Sequence, residues 1–386
     1  MDVEFTEADN AQWEEYDALA RRAYGQPVPD ITRLGPYADR RVALRGGLVV
    51  AGGMGMLVPQ WFGGRPVPAA SMGCGCVAPE ERGGRLAAQL VQERVRALQD
   101  QGAVLATLWT ASIGYVRRLG WETPAQVFSW TVPTLALKHA AGDTLEITHG
   151  DTVQLAELRD RLAGRWNGPW QRPAWWSTWQ QERHPDLETY GFAERGLEPS
   201  GALMVATQHT PGGRHLVVHG FWAADAAAAD AMLAFLGRHH ARIPTVMFER
   251  TGLPPASLLQ YRLPRAVAAA TAWHPWMLRV LDLRRAVQLR GWSQEADLDL
   301  TVAIVTEDGT AVDRFSLRIA SGEGELKPTD REPQLTLTRG QFAVWFAGGY
   351  RSAAAALLSG LEGDPRTLGR LLTATTEREP WLADYF

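Results

Sequence analysis

The segment from Cys74 to Trp121 restricts the fold more than any other part of the chain. A partly apolar run, Val67 to Val77, halts at Pro79. Arg82-Gly83-Gly84-Arg85 then opens a stretch in which Leu86, Leu90, Val91, Val95 and Leu98 recur at helical spacing. Gly102 is a natural stop for that helix, and Val104 to Trp109 reads as the next strand. A strand, a glycine turn, a helix and a strand in this order predict an α/β unit whose helix begins beside a strand end. Such a start carries free backbone N–H groups and the positive end of the helix dipole, which suit an anion such as a pyrophosphate. Arg82 and Arg85 add charge. Glycines between a strand and a helix also serve simply to make the turn, so spacing alone leaves both readings open.

The second half of the segment narrows the choice. Ser112 reads as the cap of a short helix that ends in Arg117-Arg118-Leu119-Gly120-Trp121. With these residues the chain resembles the GCN5-related N-acetyltransferases (GNATs). In that family a strand ending in V-x-P (here Val77-Ala-Pro79), an R-x-x-G-x-G/A turn (here from Arg82) and a Y-x-x-x-G-F/W segment line the acetyl-CoA site. The sequence departs from the pattern twice. The turn position usually held by glycine is Arg85, with Gly83 and Gly84 earlier. The position usually held by the catalytic tyrosine is Val116, and Tyr115 lies one residue, roughly 100° of helix rotation, away.

The 386 residues are enough for two or three domains of roughly 100 to 200 residues each. Basic and acidic residues number 39 and 43, a balance that gives no cationic field and argues against nucleic acid as a partner. The acidic start, Met1-Asp-Val-Glu, and the lack of an apolar run near the roughly 18 residues of a membrane span predict a cytoplasmic protein that does not engage a membrane. Cys74 and Cys76 are too close for an ordinary disulfide, and strand alternation would put both on one face as small buried hydrophobes. No histidine makes a recognised ligand spacing with them, so no metal is expected. Trp166, Trp170, Trp175, Trp176 and Trp179 read as core or subunit interface rather than as a ligand platform.

In chain order, a strand at residues 3–6 precedes a helix from about Ala8 to Tyr24 that puts Trp13, Tyr16, Leu19 and Ala20 on one side. Gln26 to Asp30 reads as a break. Strands are expected at Arg41–Leu44, Leu48–Val58 and Arg65–Val77, the first two joined at Gly46-Gly47. Val127–Val132 reads as the strand closing this unit, with Pro133 as its boundary. A second unit repeats the order. It has strands at Ala202–Thr207 and His215–Trp222, an alanine-rich helix at Ala226–His240 and a strand at Thr245–Phe248, but Asp225 stands where an anion would sit. It is therefore expected not to bind coenzyme. His215 and His219 are too far apart along a strand, roughly 13 Å, to share a metal. A third part pairs Leu298–Val305 with Asp313–Ile319 in a hairpin, adds a strand at Gln334–Leu337, and continues with helices at Arg339–Ala347, Ala353–Leu361 and Arg366–Thr375.

Two acetyltransferase-like units, a hairpin-rich third unit containing Phe342 to Gly349, and the end Pro380-Trp-Leu-Ala-Asp-Tyr-Phe386 resemble the enhanced intracellular survival (Eis) family. The resemblance implies an α+β chain of tandem GNAT folds, mixed central sheets flanked by helices, followed by a sterol-carrier-protein-like α/β domain. The divisions are 1–133, 134–283 and 284–386. It further implies acetyl-CoA as acyl donor, a primary amine of an aminoglycoside-like or peptide metabolite as acceptor, and a homo-oligomer, in the family a hexamer. The terminal carboxylate of Phe386 would act as base, and a tyrosine, here Tyr115, as acid. Backbone groups of Gly75 and Val77 would hold the pantetheine arm. The turn Arg82, Gly83, Gly84, Arg85, Leu86 would hold the pyrophosphate, and Ser112 would contact the coenzyme. Glu14, Glu15, Asp30 and Asp384 either draw in a cationic substrate or are solvated surface. Val116 and Arg85 together keep two alternatives open: a binding protein of the same architecture without transfer, or a different reaction on a biosynthetic intermediate.

Overall fold

The computed structural model describes residues 3–138, 145–150, 152–210, 213–250, 252–264, 267–273 and 276–385. They form two compact units. The first holds the chain up to Pro124, the stretch from the strand Trp276–Val280 to Glu377, and Tyr385. The second holds Ala125 to Trp273 and Arg378 to Asp384.

The first unit begins with β1 (Glu4–Glu7) and α1 (Asn10–Tyr24). Asp9 and Gln12 form a reciprocal capping box at the start of α1, Gly25 ends it in the left-handed region, and Trp13, Tyr16, Leu19 and Ala20 are buried as their spacing demands. The break read at Gln26–Asp30 contains the start of a further helix, α2 (Pro29–Leu34). Proline is tolerated there because its missing N–H would have had no partner in the first turn. β2 (Asp39–Arg45) and β3 (Leu48–Leu57) pair antiparallel across Gly46-Gly47. The single strand expected at Arg65–Val77 is two. Beyond β4 (Gln60–Phe62), β5 (Arg65–Val67) closes a small ribbon with it, and β6 (Ala69–Val77) joins the main sheet. Helix α3 (Leu86–Asp100) then leads to β7 (Leu105–Trp109) and the short α4 (Ile113–Arg117). The sheet runs β1-β2-β3-β6-β7 and is closed by Trp276–Val280. Both α1 and α3 pack on β3 and β6.

Closure of this sheet corrects one expectation. Phe128–Pro133 does not complete it; that strand lies in the sheet of the second unit, between Ala269–Ala272 and Thr245–Phe248. The strand that pairs antiparallel with β7 is Trp276–Val280. Both segments are short and largely apolar, so local pattern cannot assign them to a sheet. The rest of the second sheet runs through Gly213–Ala223, Gly201–Thr210, Glu188–Ala193 and Glu146–His149, and Ala226–Arg238 packs on it through Met232, Leu233 and Leu236.

The third part, also in the first unit, is a four-stranded sheet ordered Glu323–Pro328, Val312–Ala320, Leu298–Val305, Leu335–Thr338. The expected hairpin is its centre. Glu323–Pro328 has no strand signal in the sequence, because Leu326 is its one buried residue. Helix Arg339–Ala347 starts with a Thr338/Gln341 capping box and buries Phe342, Trp345 and Phe346. The molecule as described is α+β, with helices and strands both substantial. No helix among the described residues is long and apolar enough to cross a membrane.

Candidate active site

β6 has two neighbours for only part of its length. It pairs parallel with β7 from Ala69↔Leu105 to Met72↔Leu108, and there that ladder stops. On its other side β6 follows β3 to Val77, with an irregularity in which Cys74 and Gly75 stand opposite Gly53 alone. This is a β-bulge with the extra residue on β6, and Cys74 adopts φ +49, a conformation rare outside glycine. The Ala78 amide donates to the Val50 carbonyl at 2.9 Å. By the two-residue alternation of a strand, Cys76 also faces β3, while Gly75 and Val77 turn their backbone groups to the open edge. An extended chain carrying amides can add there as a further strand.

Three side chains hold this edge from below. The Tyr16 hydroxyl donates to the Cys74 carbonyl and accepts a 3.4 Å bond from the Cys76 thiol. The Tyr24 hydroxyl donates to the Gly75 carbonyl at 2.8 Å. The Arg94 guanidinium, 4 % exposed, reaches from α3 to the carbonyls of Met54 and Gly73. Desolvation drives the Tyr16 hydroxyl well above the ordinary tyrosine value, with the Cys76 thiol adding to it. Cys74 and Cys76 are free thiols but only half-buried, which corrects the expectation of two buried hydrophobes. Cys74 sits in the bulge itself, and the Cys76 thiol meets the buried Tyr16 beside it.

The turn after β6 leaves a helix start without a cap. Gly83 sits at φ +90 and nothing lies within 4 Å of where a Cβ at Gly83 or Gly84 would be, so the turn is open above its backbone. Arg85 occupies the N-cap position of α3 but makes no side-chain cap, and the helix proceeds from Leu86 with the first-turn N–H groups unanswered by a side chain. Arg82 bends back: its Nη2 donates to the Ala23 carbonyl at 3.0 Å and its Nε to the Val77 carbonyl at 3.4 Å. The nearby carboxylates are already engaged, Glu80 with Arg22 and Glu81 with Arg45. Edge and turn follow each other directly in the chain and match in shape and charge an amide-bearing arm that ends in a pyrophosphate.

The α4 helix separates the two neighbours that sequence could not rank. Val116 is fully buried with Val91, Val95, Leu108 and Trp121. Tyr115, one position earlier, is half-buried, hydrogen-bonds Thr110 through its side chain and lies within the field of Arg94. Burial raises its hydroxyl pKa, while the Arg94 charge and the bond to Thr110 pull it back. Ser112 is exposed at the N-cap position of α4 but makes no capping bond. Trp109, at the end of β7, meets the ring of Tyr385 with centroids 5.3 Å apart. Phe386 lies outside the described residues. Gly75, Val77, the Arg82–Leu86 turn and Tyr115 therefore belong to one connected stretch of strand, turn and helix. Tyr16, Tyr24 and Arg94 join them without having been singled out. Arg94 had a signal: it sits midway between Leu90 and Leu98 on the apolar stripe of α3, the wrong place for a solvated charge.

The second unit has no comparable opening at its helix start. Asp225 accepts from the Ala228 amide at 2.9 Å and so caps Ala226–Arg238 with the chain's own carboxylate. His219 lies 3.5 Å from Glu249 and stacks on His184, and His215 bonds Thr210 at 3.0 Å. Asp384, expected at the surface, is fully buried: it accepts from Arg159, from Arg172 at 2.8 Å and from the Trp170 amide at 2.9 Å. Burial alone would raise its pKa, but the two guanidinium groups outweigh that and hold it low. Desolvation, with Arg159 adding repulsion, lowers Arg172 to about 10. Glu15, likewise read as either drawing in a substrate or solvated surface, accepts from the Val49 amide at the start of β3. The tryptophan cluster packs within the second unit, Trp170 on Trp176 and Trp176 on Trp179, and Trp381 meets Trp166 edge-on and Trp222 at a tilt.

Known proteins share these domains and this fold. Residues 4–123 and 168–280 each match an acetyltransferase (GNAT) domain, and residues 283–383 match a sterol carrier protein domain. An N-acetyltransferase of Streptomyces avermitilis, itself uncharacterized, is 26 % identical over 352 residues, which cover 84 % of this chain and 82 % of that protein. A GCN5-related N-acetyltransferase from Anabaena variabilis superposes over 100 % of both chains with a TM-score of 0.88 at 21 % identity. Eis1 from Mycobacterium abscessus does so over 100 % of both chains with a TM-score of 0.78 at 18 % identity. With two GNAT domains in tandem and a sterol carrier protein domain behind them, the chain belongs to the GCN5-related N-acetyltransferases, an acyltransferase of the GNAT type that shares its fold with Eis1.

Proposed function

We propose that the protein moves an acetyl group from acetyl-CoA to a primary amine of a small molecule, an aminoglycoside-like or peptide metabolite. The observation that carries this reading is the edge of β6 beyond Met72, open toward β7 and followed at once by an uncapped helix start. The residues fit the donor: Gly75 and Val77 present backbone groups to its amide arm, and Arg82, Gly83, Gly84, Arg85 and Leu86 present charge and free N–H groups to its pyrophosphate. Ser112, exposed before α4, contacts the same ligand. Acetyl-CoA, when bound, supplies an acyl carbon already activated as a thioester.

The chain's own groups then move protons. The terminal carboxylate of Phe386, ionised at neutral pH with an ordinary value of roughly 3.3 to 3.7, takes a proton from the amine directly or through water. The new C–N bond forms as the C–S bond breaks, and the Tyr115 hydroxyl gives the leaving sulfur its proton. Val116 takes no part, because it is core. Transfer is assigned to the first of the proposed parts 1–133, 134–283 and 284–386, and the second is a degenerate copy that does not bind coenzyme. We place the enzyme in the cytoplasm as a homo-oligomer, a hexamer by family resemblance, which sedimentation in solution tests.

The deciding experiment follows free thiol released from acetyl-CoA across a panel of amines, with two variants as controls. Removal of Phe386 and Tyr115→Phe are each expected to lower turnover by about 100-fold or more while acetyl-CoA binding by calorimetry stays unchanged. Full turnover without Phe386 removes the carboxylate from the reaction. Binding without thiol release for any amine favours the alternative of a GNAT-fold binding protein.

A further inference from the structure

Arg94 presents a problem that acetyl transfer as described does not use. It carries a charge on the buried face of α3, and no carboxylate among the described residues pairs with it. Its Nη2 donates to two carbonyl oxygens, Met54 on β3 and Gly73 on β6, while its buried Nε has no partner. Taking a guanidinium out of water against neutral partners is costly, so it needs a return.

The sequence also makes room for it. A Cβ at Gly53 would lie 2.7 Å from the Arg94 Cζ, and one at Gly75 would lie 2.6 Å from its Nη1. A Cβ at Gly52 would lie 2.5 Å from the ring of Tyr16, the residue that holds the Cys74 carbonyl. Three glycines in the middle of two strands, each a cost to strand stability, are thus the space that Arg94 and Tyr16 occupy. The two carbonyls that Arg94 grips lie on one side of the bulge, directly beside it. Met54 and Gly73 are the last pair before the irregularity, and Cys74 at φ +49 follows.

We infer that Arg94 is a positioning residue for the coenzyme edge: its guanidinium clamps the bulge that keeps β6 open beyond Met72, and its buried positive charge lies behind the strand that would hold the donor, whose thioester oxygen and sulfur would take on negative charge during transfer. The inference rests on the acetyl-transfer reading for its second half alone. The groups around Arg94 agree with it. Tyr16 and Tyr24 come from α1, Cys74 from β6 and Tyr115 from α4, and burial raises the pKa of all three phenols, which keeps them protonated. The cation therefore faces phenols and a thiol rather than an anion that would cancel it. Burial lowers the Arg94 pKa, so its charge is held in place at a cost, as preorganised electrostatic groups are.

Arg94→Gln and Arg94→Lys in the full chain test it. In coenzyme-free protein, amide hydrogen exchange over Gly73–Val77 is expected to speed up by about tenfold or more in Arg94→Gln relative to α3, a readout that needs no activity. In turnover, Arg94→Gln is expected to lower kcat by about 100-fold with the acetyl-CoA Kd within about fivefold, and Arg94→Lys to recover at least about tenfold of that loss. Unchanged exchange in a folded Arg94→Gln overturns the clamp. Equal losses of kcat in the two variants overturn the role of charge. If the native enzyme releases no thiol with any amine, the transfer reading fails while the exchange result still judges the clamp. Should Arg94→Gln not fold, Arg94→Lys decides alone. Faster exchange over Gly73–Val77 with kcat within about tenfold supports the inference, and native values for both overturn it.

Discussion

The two GNAT units meet the same need for negative charge in opposite ways. In the first, α3 starts uncapped, and Arg82, Arg85 and Arg94 pair with no carboxylate among the described residues. In the second, the helix after the corresponding strand is capped by Asp225, and the buried guanidinium groups of Arg159 and Arg172 close on Asp384. A fold that binds an anionic ligand can keep its positive groups unsatisfied until the ligand arrives, or satisfy them from within and become structural.

Three variants test that contrast. The largest effect is expected from Asp384→Asn, which leaves Arg172 without its anion and Arg159 with Asp160 alone, and should cost about 3 to 5 kcal/mol in the unfolding of the second unit. The same carboxylate makes a signed pH prediction. Its folded pKa lies below the ordinary aspartate value of 3.8, so its contribution is fully present above that value and is lost as pH falls through the folded one. Acid titration of stability below about pH 4 should show that limb in the native chain and a weaker one in Asp384→Asn. Next comes Arg85→Asp, which gives α3 the cap that the second unit already has. Calorimetry should show acetyl-CoA binding weakened by about 10- to 100-fold, with the helix itself no less stable. Unchanged affinity would mean that the turn does not hold the pyrophosphate. The smallest effect belongs to Asp225→Ala, expected to cost about 1 kcal/mol of stability without creating coenzyme binding. If binding did appear, the second unit would be a blocked site rather than a degenerate one.

What the sequence made legible was local. The glycine turn, the amphipathic spacing of α3, the acidic residue at the second turn and the hairpin Leu298–Val305 with Val312–Ala320 can each be read within a window of a few residues, where sterics and periodicity decide. The one-residue offset at Tyr115 was visible too, but its meaning was not. Only packing shows that Val116 is claimed by Val91, Val95 and Trp121, leaving Tyr115 to face Arg94. What stayed hidden was long-range. Asp384 reads as a surface charge unless Arg159 and Arg172, far earlier in the chain, are known to close on it. Tyr16 reads as core, and its hydroxyl finds its use only at Cys74. Glu323–Pro328 becomes a strand because a neighbour offers it a ladder, not because its residues prefer one.

The strand at Trp276–Val280 bears on how the chain reaches its native state. β7 has its parallel neighbour once Leu105–Trp109 has been made, but its outer edge stays bare until the ribosome has passed all of the second unit except Arg378–Asp384. The N-terminal sheet therefore cannot be finished first, although domains of a nascent chain commonly fold in the order they emerge. Throughout that interval an unpaired apolar edge is exposed, the kind of surface that recruits a wrong partner strand. The sheet that carries the coenzyme edge is completed late in synthesis, and yield in the cell will depend on how that waiting edge is shielded.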